Sequence, residues 1–516
     1  MKINYLFRGN RFLILACLSG FLLALSFPRF DFSACAWLAL IPLFLVIDEK
    51  PFAGGFWTGF CFFAAALYWV NIVMTTYGGM NLFFSFAAYL MLCVYLALYF
   101  GAATWSAWRL RKAFGLPYWL SLPFLWVAAE YLRSFLFSGF PWVNLGYSQY
   151  RHLLMIQSAD LFGVYSLTFL IILVNAGLAH FYAVIRNRSL RMQDGLVVAV
   201  LIGCFSANVF YGIYRLEQSP DVREKSIHAV VVQGNIDQSI KWDPAYQKAT
   251  LERYQRLSEE AVAKERADLV IWPESAAPFY FNEGEELSDM VRGIPGKIDA
   301  ELLFGAPAYE ISNRRARYLN SAFLMSKAGK ELGRSDKIHL VPFGEYNPFG
   351  RFFPFLEKMV AGIGDFSPGT IKPLPFEKGK AGVLICFEAI FPEIARNYTR
   401  KGCDLLVNIT NDAWFGHSSA PFQHLSMTLF RAVENRVWIA RAANTGISAF
   451  IAPSGRVVSQ TGIFKTLSLS AEIGLGSRAT LYNRIGDAVP AVFLLLSGLA
   501  IFTAQFRLYR KKEQAR

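Results

Sequence analysis

Residues 381–388 read AGVLICFE, an unbroken apolar run that ends in a cysteine, an aromatic and a carboxylate. A run this short and this apolar fits a strand buried on both faces. Similar runs recur: IHAVVVQGNI from Ile227, ADLVIWPE to Glu274, ELLFGAPA from Glu301, CDLLVNITND from Cys403 and GISAFIAPSG to Gly455. Helical patterns over 246–265 and 422–442 lie between them. Strand alternating with helix predicts a layered α/β domain. Its expected bounds are residues 220–483.

Outside that segment the chain is far more apolar. Charged residues make up only 17% of the 516 residues, where an ordinary soluble protein carries roughly 25%. Mean hydropathy is +0.33, which excludes a disordered or fibrous chain. Long apolar runs predict membrane helices near 12–27, 34–47, 54–74, 82–108, 118–137, 162–185, 195–213 and 488–506, since about 20 apolar residues span a bilayer. The run at 34–47 is short and also fits a re-entrant segment. The expected organisation is therefore a multi-span domain of about seven helices over 1–219, the α/β domain, and a last helix with a basic tail over 484–516.

The net charge of +13 is unevenly placed. Residues 1–215 hold 14 basic and 6 acidic side chains, and residues 484–516 hold 6 and 2. The α/β segment is left near neutrality, which argues against a nucleic-acid footprint. Basic clusters stand before the first run (Lys2, Arg8, Arg11), after the fourth (Arg109, Arg111, Lys112), after the sixth (Arg186, Arg188, Arg191) and after the eighth (Arg507, Arg510, Lys511, Lys512, Arg516). Basic loops face the cytoplasm. Both termini are thus expected there, with the α/β domain across the membrane.

Three polar side chains flank the apolar strands. Cys386 stands where a nucleophile is presented, at a turn after a strand whose backbone N–H groups can bind an oxyanion. Glu274 follows LVIW and a proline, and partial desolvation would suit it to general-base work. Lys337, in SDKIHLVPFGEYNPFG, could stabilise developing negative charge, and Glu345 is a further carboxylate in that stretch. Taken singly, each also fits an ordinary role: a buried structural cysteine, a loop glutamate, a surface lysine. Cys403 reads as structural. His228, His339, His417 and His424 have no metal-ligand spacing. No nucleotide loop appears, so neither metal nor cofactor is expected. Arg431, Glu434, Arg436 and Arg441 read as a salt-bridge face on the late helix. The apolar residues Phe352, Phe353, Phe355, Leu356, Met359, Val360 and Ile363 fit either a lid or a buried helix, and AWFG (413–416) is a second candidate loop.

IWPES, DKIHLVPFGEY and LICFE occur in the order Glu, Lys, Cys, and this resembles the nitrilase superfamily. NITNDAWFG and ARAANTGISAFIAPSG look like that family's later strands and turns. With the membrane helices, and with SGFPWVNLGYSQ, VVQGNIDQSIKWD and FSPGT, the whole chain resembles the apolipoprotein N-acyltransferases, bacterial inner-membrane members of that superfamily. The resemblance implies an αββα sandwich and a Glu274–Lys337–Cys386 triad. It implies acyl transfer from a phospholipid such as phosphatidylethanolamine, through a Cys386 thioester, to the α-amine of a diacylglyceryl-cysteine on an apolipoprotein. That is the last step of lipoprotein maturation. It further implies supporting roles for Glu345, Phe387, Glu388 and Trp242, a periplasmic active site and a monomer. A membrane-tethered amidase that releases its acyl group to water, and a transporter or receptor whose α/β domain only binds ligand, are the alternatives.

Overall fold

The computed structural model describes residues 3–188, 191–218, 225–281, 285–312, 315–346 and 366–514. The apolar stretch around Phe352–Ile363, read as a lid or a buried helix, lies outside them. The chain folds as two compact units. One comprises residues 1–71, 80–217 and 485–516, and the other 72–79 and 218–484.

Five described helices are long and apolar enough to cross a bilayer: Leu82–Phe114, Tyr118–Ser138, Tyr165–Arg186, Asp194–Gln218 and Ala488–Gln514. The helices Pro51–Ala66 and Trp69–Tyr77, bent by 50°, make a sixth if they count as one broken span. Eight spans were expected. The run at 12–27 lies in the 23-residue helix Ile3–Leu25, whose apolar part is Arg11–Leu25. The run at 34–47 is a 3-10 turn, Ser33–Trp37, followed by the helix Ile41–Val46. Six helical residues rise about 9 Å, too little to cross a hydrocarbon layer of about 30 Å.

The Leu82–Phe114 helix has clear start and stop signals. Asn81 accepts from the Phe83 N–H at 2.9 Å, Arg111 and Lys112 occupy the last turn, and Gly115 ends it in a left-handed conformation. These satisfy the orphan groups and dipole of the helix ends. In this unit the buried Glu130 carboxylate accepts from the Leu145 N–H and the Thr168 hydroxyl, and Arg133 donates to the Trp142 carbonyl. The SGFPWVNLGYSQ segment is anchored there.

The second unit contains two six-stranded sheets. The strands are β1 (Ser226–Gln233), β2 (Leu269–Ile271), β3 (Glu301–Ser312), β4 (Arg315–Met325), β5 (Glu331–Asp336), β6 (Leu374–Phe376), β7 (Gly379–Ile385), β8 (Leu405–Thr410), β9 (Ile439–Ala443), β10 (Ala449–Ile451), β11 (Val457–Gln460) and β12 (Leu467–Gly474). The sheet orders are β12-β1-β2-β3-β4-β5 and β11-β10-β9-β8-β7-β6. The central strands β1-β2-β3 and β7-β8-β9 are parallel, and the flanking strands are antiparallel.

Alternation along each strand builds two layers of core. Ala229, Val231, Leu269 and Ile271 meet Val383, Ile385, Val407 and Ile409 between the sheets. Val230, Val232, Val270 and Trp272 point the other way, onto Leu251, Tyr254, Val291 and Ile294 of the helices Pro244–Val262 and Glu285–Ile298. The helices Pro392–Arg400 and Ala420–Asn435 belong to the half built on the other sheet. This is the layered α/β architecture the strand runs predict, with the two sheets packed face to face as the family resemblance implies.

One boundary differs. The helix expected over 422–442 ends at Asn435, because Arg436 takes a left-handed cap (φ 49°, ψ 50°). Residues 439–443 then pair with β8 as β9. Arg441 is therefore on a strand, and Arg431, Glu434, Arg436 and Arg441 are all fully buried, with Arg431 bridged to Glu434 at 2.8 Å as the salt-bridge reading expects.

Candidate active site

Glu274 leaves the first sheet just after β2. Its loop runs so close to β3 that a Cβ at residue 305 would stand 2.6 Å from the Ser275 nitrogen and 2.7 Å from the Glu274 Cα. Only glycine fits there. Glu274 is 7% exposed. Its Oε1 accepts from Asn320 Nδ2 at 2.8 Å and its Oε2 from the Asn411 N–H at 2.9 Å.

Lys337 follows β5 and is 1% exposed. Its Nζ lies 2.9 Å from Glu345 Oε1 and 3.6 Å from Glu274 Oε1. Asn320 Nδ2 also donates to Glu345 Oε1, at 2.9 Å, so one amide ties the two carboxylates together. Glu345 Oε2 accepts from the Val341 N–H. Burial works against the Lys337 ammonium, but Glu345 and Glu274 outweigh it and hold its pKa above the ordinary lysine value.

Cys386 opens a 3-10 turn directly after β7, with φ at +55°. Strain of this kind in a non-glycine residue clusters at functional sites. Burial, then the charge of Glu274, pushes the thiol pKa up, and Lys337 pulls against them. The thiol is thus neutral at rest and needs a base to become a nucleophile. Its carbonyl accepts from His424 Nε2 at 3.1 Å. His424 is held in turn by Asp412 and Arg441, both fully buried.

Glu388 clamps two of these loops. Its Oε2 accepts from the Ile385 N–H at 2.7 Å, and its Oε1 from the N–H groups of Ile338 (2.5 Å) and His339 (3.1 Å). Burial pushes its pKa up to about 7 against those three donors. Phe387 packs its ring against Phe391 at 5.1 Å. Trp242 is 40% exposed, and no described contact brings it into this cluster. The AWFG segment is a 3-10 turn whose Trp414 ring stands 5.9 Å from Tyr77. Among the described residues no three His, Cys, Asp or Glu side chains are grouped as a metal site requires.

Residues 19–177 match the model of the apolipoprotein N-acyltransferase N-terminal domain, and residues 229–481 that of the carbon-nitrogen hydrolases. The chain is 46% identical over 496 residues to the apolipoprotein N-acyltransferase of Geobacter metallireducens, covering 95% of this chain and 94% of the relative. The chain belongs to the apolipoprotein N-acyltransferase family. A second member, from Haemophilus ducreyi, is 33% identical over 521 residues and 98% of both chains. Among solved structures, Saccharomyces cerevisiae Nit3, of the nitrilase superfamily, matches 50% of this chain and 92% of its own at 20% identity, with a TM-score of 0.39. Membership makes the protein an acyltransferase of lipoprotein maturation, with apolar helices suited to membrane insertion.

Several residues of this family member's site have no isolated signal in the sequence. Lys241, next to Trp242, is fully buried, and its ammonium donates to the Glu274 carbonyl at 3.0 Å. Burial lowers its pKa to about 8, against the pull of Glu274 and Cys386. Asn320 is a second such residue, inward-facing in the middle of a strand. The buried set behind Cys386 is a third. Arg441 Nη2 lies 2.8 Å from Asp412 Oδ2, and Arg441 Nη1 donates to Thr428 Oγ1 and Asn408 Oδ1.

The Asp412–Arg441 pair carries a stability prediction. Burial alone would raise the Asp412 pKa, but Arg441 and His424 bring it down to about 2. A depressed carboxyl stabilises the fold fully above its unfolded pKa, near 4, and less as pH falls toward 2. Arg441→Met strands the Asp412 charge and is expected to cost about 3–5 kcal/mol. Thermal unfolding of the purified protein at neutral pH should show a clearly lowered midpoint. An unchanged midpoint would refute the pairing.

Proposed function

We propose that the chain N-acylates apolipoproteins by a two-step displacement through Cys386. The arrangement that carries this reading is the buried Glu274–Lys337–Glu345 group, bridged by Asn320, in the same unit as a strained cysteine turn. In the first step the Cys386 sulfur attacks the acyl ester carbonyl of a phospholipid, phosphatidylethanolamine among them, and Glu274 takes the thiol proton. Lys337 and the Phe387 backbone N–H face the oxyanion. The intermediate collapses to a thioester, and the lysophospholipid alkoxide leaves with the proton from Glu274.

In the second step the α-amine of the diacylglyceryl-cysteine attacks that thioester, and Glu274 accepts its proton. The amide forms and the Cys386 thiolate departs, recovering the proton. Glu345 keeps Lys337 charged and placed, and Lys241 holds the Glu274 main chain. Glu388 fixes the lysine loop to the cysteine turn. The basic clusters support a topology with both termini in the cytoplasm and the reaction on the periplasmic side of the inner membrane. The proposed domain bounds are 219/220 and 483/484, and a monomer is taken as sufficient for activity.

The test is intact mass after incubation with phospholipid vesicles. The protein should gain one acyl chain on Cys386 and lose it, as an amide, to an added lipopeptide amine. Loss of the acyl chain to water with no amide product would overturn transfer in favour of hydrolysis.

A further inference from the structure

Beside the candidate site, the same unit contains a polar hollow of about 200 Å³. Its lining includes Tyr77, Asn235, Asp237, Gln238, Thr445 and Phe464. The charge in this lining is negative. Asp237 Oδ1 accepts from the Ser239 N–H and hydroxyl, both at 2.8 Å. These bonds hold its carboxyl below the usual carboxylate range. Among the described residues the ionised Asp237 has no cationic partner.

Thr445 supplies an independent sign of a missing ligand. It is 2% exposed, and its hydroxyl has no hydrogen-bond partner among the described residues. Buried hydroxyls are almost always satisfied. The Asn235 and Gln238 side chains add amide oxygens, and Tyr77 and Phe464 add aromatic rings that favour a cation.

An anion would meet Asp237, and an apolar group would leave the Asp237 charge without a counter-ion and the buried Thr445 hydroxyl without a partner. A primary ammonium carries three N–H donors and full charge, which suits a carboxylate, a hydroxyl and an amide oxygen. The hollow also connects to the acyl-transfer machinery. Gln238 Oε1 accepts from Asn411 Nδ2 at 2.7 Å, and the Asn411 N–H donates to Glu274 Oε2.

We propose that the hollow formed by Asp237, Gln238, Thr445 and Tyr77 is a primary-ammonium subsite for a substrate of the acyl transfer. The proposal rests on the reading given under Proposed function. Two substrates of that reaction carry such a group: a donor with an ethanolamine head, and the acceptor through its amine.

The experiment follows the Cys386 adduct by intact mass in the full-length protein and in Asp237→Asn and Thr445→Val. Asparagine keeps the acceptor that Ser239 uses, and valine keeps the shape of threonine. Vesicles carry chain-matched phosphatidylethanolamine, phosphatidylcholine or phosphatidylglycerol, and the adduct is then discharged with a diacylglyceryl-cysteinyl peptide. The expected result is about a tenfold effect of Asp237→Asn, with a smaller one from Thr445→Val. A fall in the ethanolamine-to-glycerol rate ratio places the donor head in the hollow. A rise in the peptide KM, with that ratio unchanged, places the acceptor amine there. Normal adduct formation with neither parameter changed in either variant overturns the subsite alone. No adduct in the unsubstituted protein with any lipid overturns the acyl-transfer reading and the subsite with it.

Discussion

Cys386→Ala should form no acyl adduct and should lose at least about 10⁴-fold in turnover, because removing the nucleophile of a covalent mechanism leaves only binding and electrostatics. Folding should survive. Alanine at φ +55° meets the same backbone strain as cysteine, and the hydrogen bond from His424 goes to the main-chain carbonyl, which any residue supplies. Melting temperature and phospholipid binding should therefore stay near those of the unsubstituted chain. Substantial residual turnover in a well-folded Cys386→Ala protein would show that no thioester lies on the path. A protein whose α/β unit only binds ligand would pass this test unharmed, which makes the substitution the sharpest separation of enzyme from binding module.

The sequence made the strands and the nucleophile turn legible for one physical reason. Strands buried between two layers must be apolar on both faces, so AGVLI and LLVNI stand out against a polar background. Glu274 and Cys386, which follow such strands, stand out with them, whereas Lys337 follows the polar strand β5 at the sheet edge. What stayed hidden was the set of partners. Asn320 lies within β4, where hydropathy gives no hint that its amide spans Glu274 and Glu345. Lys241 lies in a segment where a lysine reads as surface, yet it is fully buried beneath Glu274. The end of the Ala420–Asn435 helix was missed because its cap is Arg436. A left-handed arginine carries none of the glycine signal that usually marks a helix stop. Arg431 and Glu434 pair three residues apart on that helix, as their spacing suggests, but the charge that compensates Arg441, Asp412, is apparent only in three dimensions.

Lys337→Met is expected to be nearly as damaging as loss of the cysteine, and it separates catalysis from stability. Methionine retains most of the lysine stem but removes the charge that sits between Glu274 and Glu345. The two carboxylates would then share only Asn320 Nδ2, with no cation to offset them. Like charges so placed push one carboxyl to hold a proton. If that carboxyl is Glu274, the base is lost together with the oxyanion partner. A fall of at least about 10³-fold in thioester formation is expected, with a loss of about 3–5 kcal/mol in stability. The double substitution Lys337→Met with Glu345→Gln removes the stranded charge. It should restore much of the thermal midpoint and leave thioester formation as slow as in the single variant. Recovery of activity alongside stability would mean that Lys337 only balances charge. Recovery of the midpoint alone would mean that the ammonium acts on the oxyanion, and that Glu345 is there to keep it charged and in place.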